Sequence, residues 1–201
     1  MGRARMTSVA KTPQSAVVAI PPADAWEPIQ AIRRRHDTHF HRWMPHVTLL
    51  YPFRPEADFE AAIEALKHAC QSAPPFTVTL ARFSHFVHGR GRFTIWLEPE
   101  PRDVFVGLQS ALQQEFADCD DVSAYAGGFT PHLSVGQASG ARTLEPLLAE
   151  LRASWSPLTF LLRGISLIHR RGDDPFRVFA DVPFGRPSGG GPPPGSTRGS
   201  G

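Results

Sequence analysis

The spacing of apolar residues along the chain alternates between the period of a strand and the period of a helix. Between residues 56 and 70, Phe59, Ile63, Leu66 and Ala69 are three or four positions apart, which is typical of one face of a helix. This criterion predicts helices at 23–35, 56–70, 103–116 and 141–155. Short apolar runs predict strands at 15–20, 76–83, 93–99, 159–169 and 177–184, and two more that start at residues 46 and 132.

The predicted elements follow the same order twice. Strand, helix, strand, helix and strand run from residue 15 to residue 83 and again from residue 93 to residue 169, before a last strand closes the chain. Such a duplication usually folds into two pseudo-symmetric lobes that pack together. We therefore expect an α+β fold in which equivalent strands lie side by side or across a shared cleft.

Two of the predicted strands carry a matched pair of polar residues. In "MPHVTLLY", alternation along the strand places His46 and Thr48 on one face, and in "TPHLSVGQ" it places His132 and Ser134 on one face. A single pair is typical of a sheet with one solvated face. Two pairs at equivalent positions of a duplicated chain predict instead that each lobe contributes one histidine and one hydroxyl to a common site.

Composition sets the limits of the folded part. The chain has 201 residues and a formal net charge of +2, which does not indicate a protein that coats long nucleic acid. We expect one domain of two lobes over residues 15–184, a flexible N-terminus over 1–14, and a disordered tail rich in Gly, Pro and Ser over 185–201. Cys70 and Cys119 have neither metal-binding nor disulfide-framework spacing.

The sequence also indicates where the protein works. It contains no apolar run of about 20 residues, and its start lacks the apolar stretch of a secretory signal. We expect a cytoplasmic monomer with no membrane association and no obligate protein partner.

Two histidines with two hydroxyls suit acid–base chemistry at a phosphate. Imidazole titrates near neutrality, so one neutral ring can remove a proton while a protonated ring supplies one to a leaving oxygen. The hydroxyls of Thr48 and Ser134 can donate hydrogen bonds to nonbridging phosphate oxygens. This chemistry requires no metal and no cofactor, so we expect neither.

The segments "PHVTLLYPF" and "TPHLSVG" resemble the two H-x-[T/S]-hydrophobic motifs of the 2H phosphoesterase superfamily, the LigT-like or 2′-5′ RNA ligase family. The closing "ISLIHRRGDDPFRVFADVPFG" is similar to the final hairpin of many members. The resemblance implies a bilobal fold in which two antiparallel sheets face a central cleft with helices outside. It implies His46 and His132 as catalytic residues and Thr48 and Ser134 as phosphate-binding residues. The chain departs from the family pattern at Gln137, where many members have Arg or Lys.

The implied activity is metal-independent cleavage of 2′,3′-cyclic phosphates or 2′-5′ linkages, with RNA ends or small nucleotides as substrates. Three alternatives remain: the same site could join 2′-5′ linkages, the domain could bind RNA without turnover, or the chain could be a metal hydrolase. The last follows from His36, His39 and His41, which lie close to His46 with only Asp37 as a carboxylate partner.

Further candidates for contact with substrate are aromatic or basic. Trp43 could stack on a base, and Phe129 could wall the pocket. Arg170 and Arg177, in the closing hairpin, could reach a phosphate or a ribose. Tyr51 is expected in the core, because alternation from His46 places it on the opposite face.

Overall fold

The computed structural model describes residues 10–185, and the elements in this part of the chain agree with the predicted order. The helices are α1 (Trp26–His36), α2 (Phe59–Cys70), α3 (Arg102–Glu115) and α4 (Ala141–Ser154). The strands are β1 (Ser15–Ala19), β2 (Val47–Leu50), β3 (Phe76–His88), β4 (Arg92–Glu100), β5 (Leu133–Ser139), β6 (Leu158–Leu162), β7 (Gly164–His169) and β8 (Arg177–Pro183). None of the helices within residues 10–185 has the length and apolar character that a bilayer crossing requires.

The strands form two antiparallel sheets of four strands each. The first sheet has the order β2-β1-β7-β8 and the second has the order β5-β4-β3-β6. Helix α2 packs against α3 and β8, and α4 packs against β3 and β5. The predicted α+β architecture of two antiparallel sheets with a duplicated order of elements is therefore confirmed.

The predicted single strand at 159–169 is wrong, because the chain changes sheets within it. Strand β6 pairs with β3 in the second sheet, whereas β7 pairs with β1 in the first. The change occurs at Gly164, where an added Cβ would lie 2.4 Å from the carbonyl oxygen of Val182 on β8. Each sheet consequently contains strands from both halves of the chain, and the two lobes cannot separate as independent units.

The two faces of β1 are buried by different groups. Val17 and Ala19 belong to the main core, which fills the space between the sheets and the helices. Ala16 and Val18 belong to a smaller cluster with Ile168 on β7 and with Phe176 in the loop before β8. The first sheet is thus covered on both faces, and the smaller cluster supports the side on which the polar pair of β2 lies.

The folded part of the chain starts before the predicted boundary at residue 15. The backbone N–H of Thr12 donates to the carbonyl of Phe53 at 2.7 Å, and the N–H of Arg170 donates to the carbonyl of Gln14 at 2.8 Å. These bonds attach residues 10–14 to the domain. The rest of the predicted flexible start and the predicted tail beyond Gly185 lie outside the described residues.

Helix α1 belongs to the first half of the chain but ends against β5 of the second sheet. The closest approach is at Gly136, where an added Cβ would lie 2.7 Å from the Cβ of His36 and 3.1 Å from its carbonyl oxygen. Because one of these neighbours is backbone, it cannot be displaced by a change of rotamer. The absence of a side chain at residue 136 therefore sets the distance between the two lobes.

We predict that Gly136→Ala lowers the free energy of unfolding by about 1–3 kcal/mol, the usual cost of overpacking a well-packed contact. The matched control is Gly107→Ala in the middle of α3, where an added Cβ meets nothing within 4 Å. That variant should be neutral or more stable by up to about 1 kcal/mol, because alanine is the better helix former. Urea unfolding of both variants tests the difference, and equal stability would show that α1 can move away from β5.

Candidate active site

The two predicted histidines lie at equivalent places, each immediately before the edge strand of a sheet. His46 precedes β2 and His132 precedes β5, and these two edge strands contact each other. Thr48 and Ser134 follow on the same face of each strand, and both are half-buried, between fully buried neighbours. The structure therefore brings the four residues to the place where the two sheets meet.

Each histidine donates its Nδ1 proton to the backbone carbonyl two residues earlier. The Nδ1 atom of His46 is 2.7 Å from the oxygen of Met44, and that of His132 is 2.8 Å from the oxygen of Thr130. A buried proline, Pro45 or Pro131, separates donor from acceptor in both cases. Because a carbonyl can only accept, the proton resides on Nδ1 in the neutral ring, and Nε2 remains to accept or carry the second proton.

Aromatic rings cover both histidines, though in different ways. The indole of Trp43 stacks on His46 with 4.8 Å between ring centroids and 19° between planes. His132 instead meets the edge of Phe86 at 4.8 Å and that of Trp96 at 6.0 Å. Both residues are half-buried, so this cover limits the access of water to the two imidazoles, and a charged imidazolium is disfavoured where water is limited.

The environment lowers the pKa of both rings. Burial lowers the pKa of His46 to about 4, and the charges of Arg33 and His132 act in the same direction, against the carbonyl of Met44 and the carboxylate of Asp37. Burial also lowers the pKa of His132, against the carbonyl of Thr130. Both rings are therefore neutral at pH 7 in the ligand-free protein.

A cleft of about 410 Å³ opens beside these residues. Its lining residues come from both halves of the chain and include His46, Thr48 and Ser134. His132 is not among the lining residues, but it is near enough for its charge to lower the pKa of His46. This volume falls in the range of about 300–1,000 Å³ that is usual for small-molecule sites.

The remaining predicted site residues divide between the cleft and other places. Trp43 and Arg170 line the cleft. Phe129 is buried in the main core and does not line the cleft. Arg177 is exposed on β8, opposite His169, and is also outside the cleft lining.

Tyr51 packs against the smaller cluster but also lines the cleft, so the expectation that it belongs to the core holds only in part. Strand β2 ends at Leu50, and the alternation of faces does not continue beyond the end of a strand. The ring of Tyr51 meets Trp43 edge-on with 5.6 Å between centroids. Phe53, two residues later, is fully buried as expected.

Sequence reasoning missed a buried polar network beneath the cleft. The guanidinium of Arg33 donates to the carboxylate of Asp37 and to the carbonyl of Trp43, both at 2.8 Å. Asp37 also accepts from the amide of Gln137 at 3.1 Å, and the Gln137 side-chain oxygen accepts from the backbone N–H of Thr38 at 2.8 Å. The four-residue spacing of Arg33 and Asp37 was the only signal in the sequence, and such a pair is usually exposed.

Gln137 therefore has a structural role at the position where many relatives carry a basic residue. Its side-chain amide donates a hydrogen bond to Asp37 and accepts one from Thr38, and both residues lie in the loop that follows α1. The network joins α1 and that loop, which belong to the first half of the chain, to β5 of the second half.

The histidine-rich segment before β2 does not assemble a metal site. His36 is the last residue of α1, and His39 and His41 lie exposed in the loop that follows. Among residues 10–185, no group of three or more His, Cys, Asp or Glu side chains is arranged to hold a metal ion. His39 does line the cleft, so it remains available for contact with a ligand.

The comparisons with known proteins agree with this geometry. The family model described as the 2′-5′ RNA ligase superfamily matches residues 21–174, which is most of the chain and includes both histidine motifs. The chain belongs to this superfamily. The resemblance to 2H phosphoesterases drawn from the two motifs is thereby confirmed.

Other known proteins are similar to this chain in sequence or in fold. A protein of Geobacillus kaustophilus with the provisional name phosphoesterase is 28% identical over 60% of this chain and 67% of its own. A provisionally named phosphoesterase of Bacillus pumilus is 30% identical over 60% of this chain and 68% of its own. The structure of Escherichia coli LigT complexed with 3′-AMP is similar in fold, with a TM-score of 0.59 and 17% identity over 87% of this chain and 100% of that one.

We predict that NMR titration of this superfamily member finds the pKa of both motif histidines below 6.5, with that of His46 near 4. Addition of inorganic phosphate should raise both pKa values, because an anion stabilises imidazolium. His41→Ala is the control and should leave the titration of His46 unchanged, because residue 41 lies outside the cleft lining. A pKa of 6.5 or above for His46 in the free protein would show that burial does not disfavour the charged ring.

Proposed function

We propose that this protein is a metal-independent phosphodiesterase that cleaves 2′,3′-cyclic phosphates or 2′-5′ linkages in RNA ends or small nucleotides. The observation that carries the proposal is the repeated arrangement of a histidine, held in one tautomer, with a hydroxyl two residues later on each of two contacting edge strands. Membership of the 2′-5′ RNA ligase superfamily, relatives named as phosphoesterases, and a similar fold that binds 3′-AMP support the same class of reaction.

In the proposed reaction, one histidine activates water and the other protonates the leaving oxygen. The neutral ring takes a proton from water through Nε2 as the water oxygen forms a bond to phosphorus. The protonated ring gives its Nε2 proton to the ribose oxygen as the bond from that oxygen to phosphorus breaks. The product is a phosphomonoester, and the proton balance of the pair is restored when the two rings exchange a proton with solvent.

The surroundings favour His46 as the base and His132 as the acid. The acid must carry a proton before the reaction, and the single proton of the pair resides on the ring with the higher pKa. The pKa of His46 is lowered by the charge of Arg33 in addition to burial, whereas burial alone lowers that of His132. We therefore assign the base to His46, whose protonation the charge of Arg33 opposes, and the acid to His132.

The hydroxyls of Thr48 and Ser134 would stabilise charge on the phosphate. Both are half-buried and line the cleft. A hydroxyl can donate to a nonbridging oxygen throughout the displacement without giving up its proton. The second motif has Ser134 where the first has Thr48. Serine lacks the methyl group of threonine but has the same hydroxyl donor.

The same site could also join 2′-5′ ends, because ligation uses the same proton transfers in the reverse direction. The proposal includes ligation as an alternative to cleavage. An RNA-binding protein without turnover needs hydrogen-bond donors but no pair of rings with free Nε2 atoms, so the geometry favours an enzyme. Cytoplasmic location and a monomeric state remain predictions.

We predict that His46→Ala or His132→Ala lowers turnover by about 10²-fold to 10⁴-fold, the usual effect of removing a proton-transfer group. The assay uses 2′,3′-cyclic nucleotides and 2′-5′ and 3′-5′ oligonucleotides in the presence of EDTA, with the product ends assigned. His41→Ala is the matched control, because that residue lies outside the cleft lining. A substrate with a better leaving group should recover part of the rate in His132→Ala only.

Two outcomes would contradict this prediction. Near-normal turnover by both histidine variants would show that the motifs are structural. Loss of activity in EDTA, with recovery on addition of zinc or manganese, would favour the metal hydrolase, despite the arrangement of the described side chains.

We predict bell-shaped pH profiles whose positions differ between the free and the bound enzyme. The active form carries one proton on the two rings, so kcat/KM is greatest between the two apparent pKa values of the free pair. Both are lowered, which places this maximum below pH 6.5. A bound phosphate raises them, so the maximum of kcat lies at higher pH. Thr48→Val should lower both profiles without moving them, and coincident maxima would contradict the assignment.

A further inference from the structure

We propose that Arg42 and Arg170 form a second anion subsite in the cleft, which binds another phosphate group of the substrate beside the one that is cleaved. The inference rests on the proposed function for the identity of the first subsite. It specifies the preferred substrate as a nucleotide with at least two phosphates, such as a 5′-phosphorylated nucleotide with a 2′,3′-cyclic end.

The charged side chains that line the cleft have a net positive charge. Arg33 and Asp37 lie in the lining but form an ion pair at 2.8 Å, with side chains that are 2% and 4% exposed. Among the described residues, the other fixed charges of the lining are Arg42 and Arg170, and both are positive. An anion is therefore the ligand that this part of the cleft would attract.

Arg170 is held in the cleft wall with little compensation for its charge. Its side chain is 11% exposed, and its nearest carboxylate, 3.7 Å away, belongs to the fully exposed Asp173. One guanidinium nitrogen donates to the carbonyl of Gly172 at 2.7 Å, while the buried Nε has no acceptor in the described structure. A pair with an exposed carboxylate contributes little, so a bound phosphate would supply the missing charge.

Aromatic stacking fixes Arg170 relative to the catalytic centre. The guanidinium lies over the ring of Phe176 at 5.4 Å, Phe176 stacks on Trp43 at 3.8 Å between centroids, and Trp43 in turn stacks on His46. This row of planar groups runs from the proposed base to the arginine. His46 and Phe176 already stack on the indole of Trp43. Trp43 therefore acts as a spacer between these two rings.

Arg42 also lines the cleft, and it lies in the loop between α1 and β2. It immediately precedes Trp43, and its carbonyl accepts a hydrogen bond from the N–H of Phe176 at 2.9 Å. Its guanidinium is exposed in the cleft and forms no ion pair with a described residue. The loops that carry the two arginines are thus bound to each other.

The neighbouring basic residues of the hairpin provide a control. Arg171 is adjacent to Arg170 but points to the other side, where it forms an exposed ion pair with Glu56 at 2.9 Å. Arg171→Gln removes the same charge from the same turn without touching the cleft. Its effect measures the contribution of net charge alone.

The first test measures binding without turnover. Adenosine 3′,5′-bisphosphate and adenosine 3′-monophosphate are titrated by calorimetry into the wild-type protein, Arg42→Gln, Arg170→Gln and Arg171→Gln. A charge-assisted hydrogen bond contributes about 1.5–3 kcal/mol, so the wild type should bind the bisphosphate at least about tenfold more tightly. Arg42→Gln and Arg170→Gln should lose most of this preference, and Arg171→Gln should keep it.

The second test uses a nucleoside 2′,3′-cyclic phosphate with and without a 5′-phosphate. The two cleft variants should raise KM for the 5′-phosphorylated substrate about tenfold more than KM for the substrate without the 5′-phosphate, which serves as the reference for each variant. Discrimination in binding with no turnover of either compound would overturn the proposed function but keep the subsite. Turnover without discrimination, or an equal loss in Arg171→Gln, would overturn the subsite alone.

Discussion

The buried ion pair of Arg33 and Asp37 is the interaction on which the geometry of the cleft depends. Arg33 fixes the loop that leads to His46 through the carbonyl of Trp43, and Asp37 connects this loop to Gln137 on the opposite sheet. A buried pair is expensive to desolvate and is retained only where further hydrogen bonds satisfy both partners. Here those further bonds join the two lobes, so the pair contributes to the relative position of the strands that carry the two histidines.

The same pair also acts on the chemistry. The charge of Arg33 lowers the pKa of His46, while that of Asp37 raises it, and burial exceeds both. The histidine that acts as the base must be neutral, which burial favours. The histidine that acts as the acid must hold a proton, which burial disfavours. The conflict is resolved when a phosphate enters, because the anion restores the pKa of the ring that must donate. In the proposed reaction, proton transfer would thereby be coupled to substrate binding.

Most of the fold followed from local patterns in the sequence, and the exceptions have a common cause. Helix and strand periods, and the two histidine motifs, are properties of neighbouring residues. The change of sheet at Gly164, the position of Tyr51 and the role of Gln137 depend on contacts with distant parts of the chain. Of the two arginines predicted to contact substrate, Arg170 lines the cleft, over the ring of Phe176, and Arg177 is exposed outside it.

The duplication explains both what the two halves share and where they differ. In each half a proline precedes the histidine, and the carbonyl before the proline accepts the Nδ1 proton, so the backbone alone produces the same tautomer twice. Charge is not repeated: the ion pair beneath the cleft and the arginines at its rim all lie on the side of His46. In the proposed mechanism, an asymmetric distribution of charge on a symmetric backbone would give the two histidines different proton affinities, which paired acid–base catalysis requires.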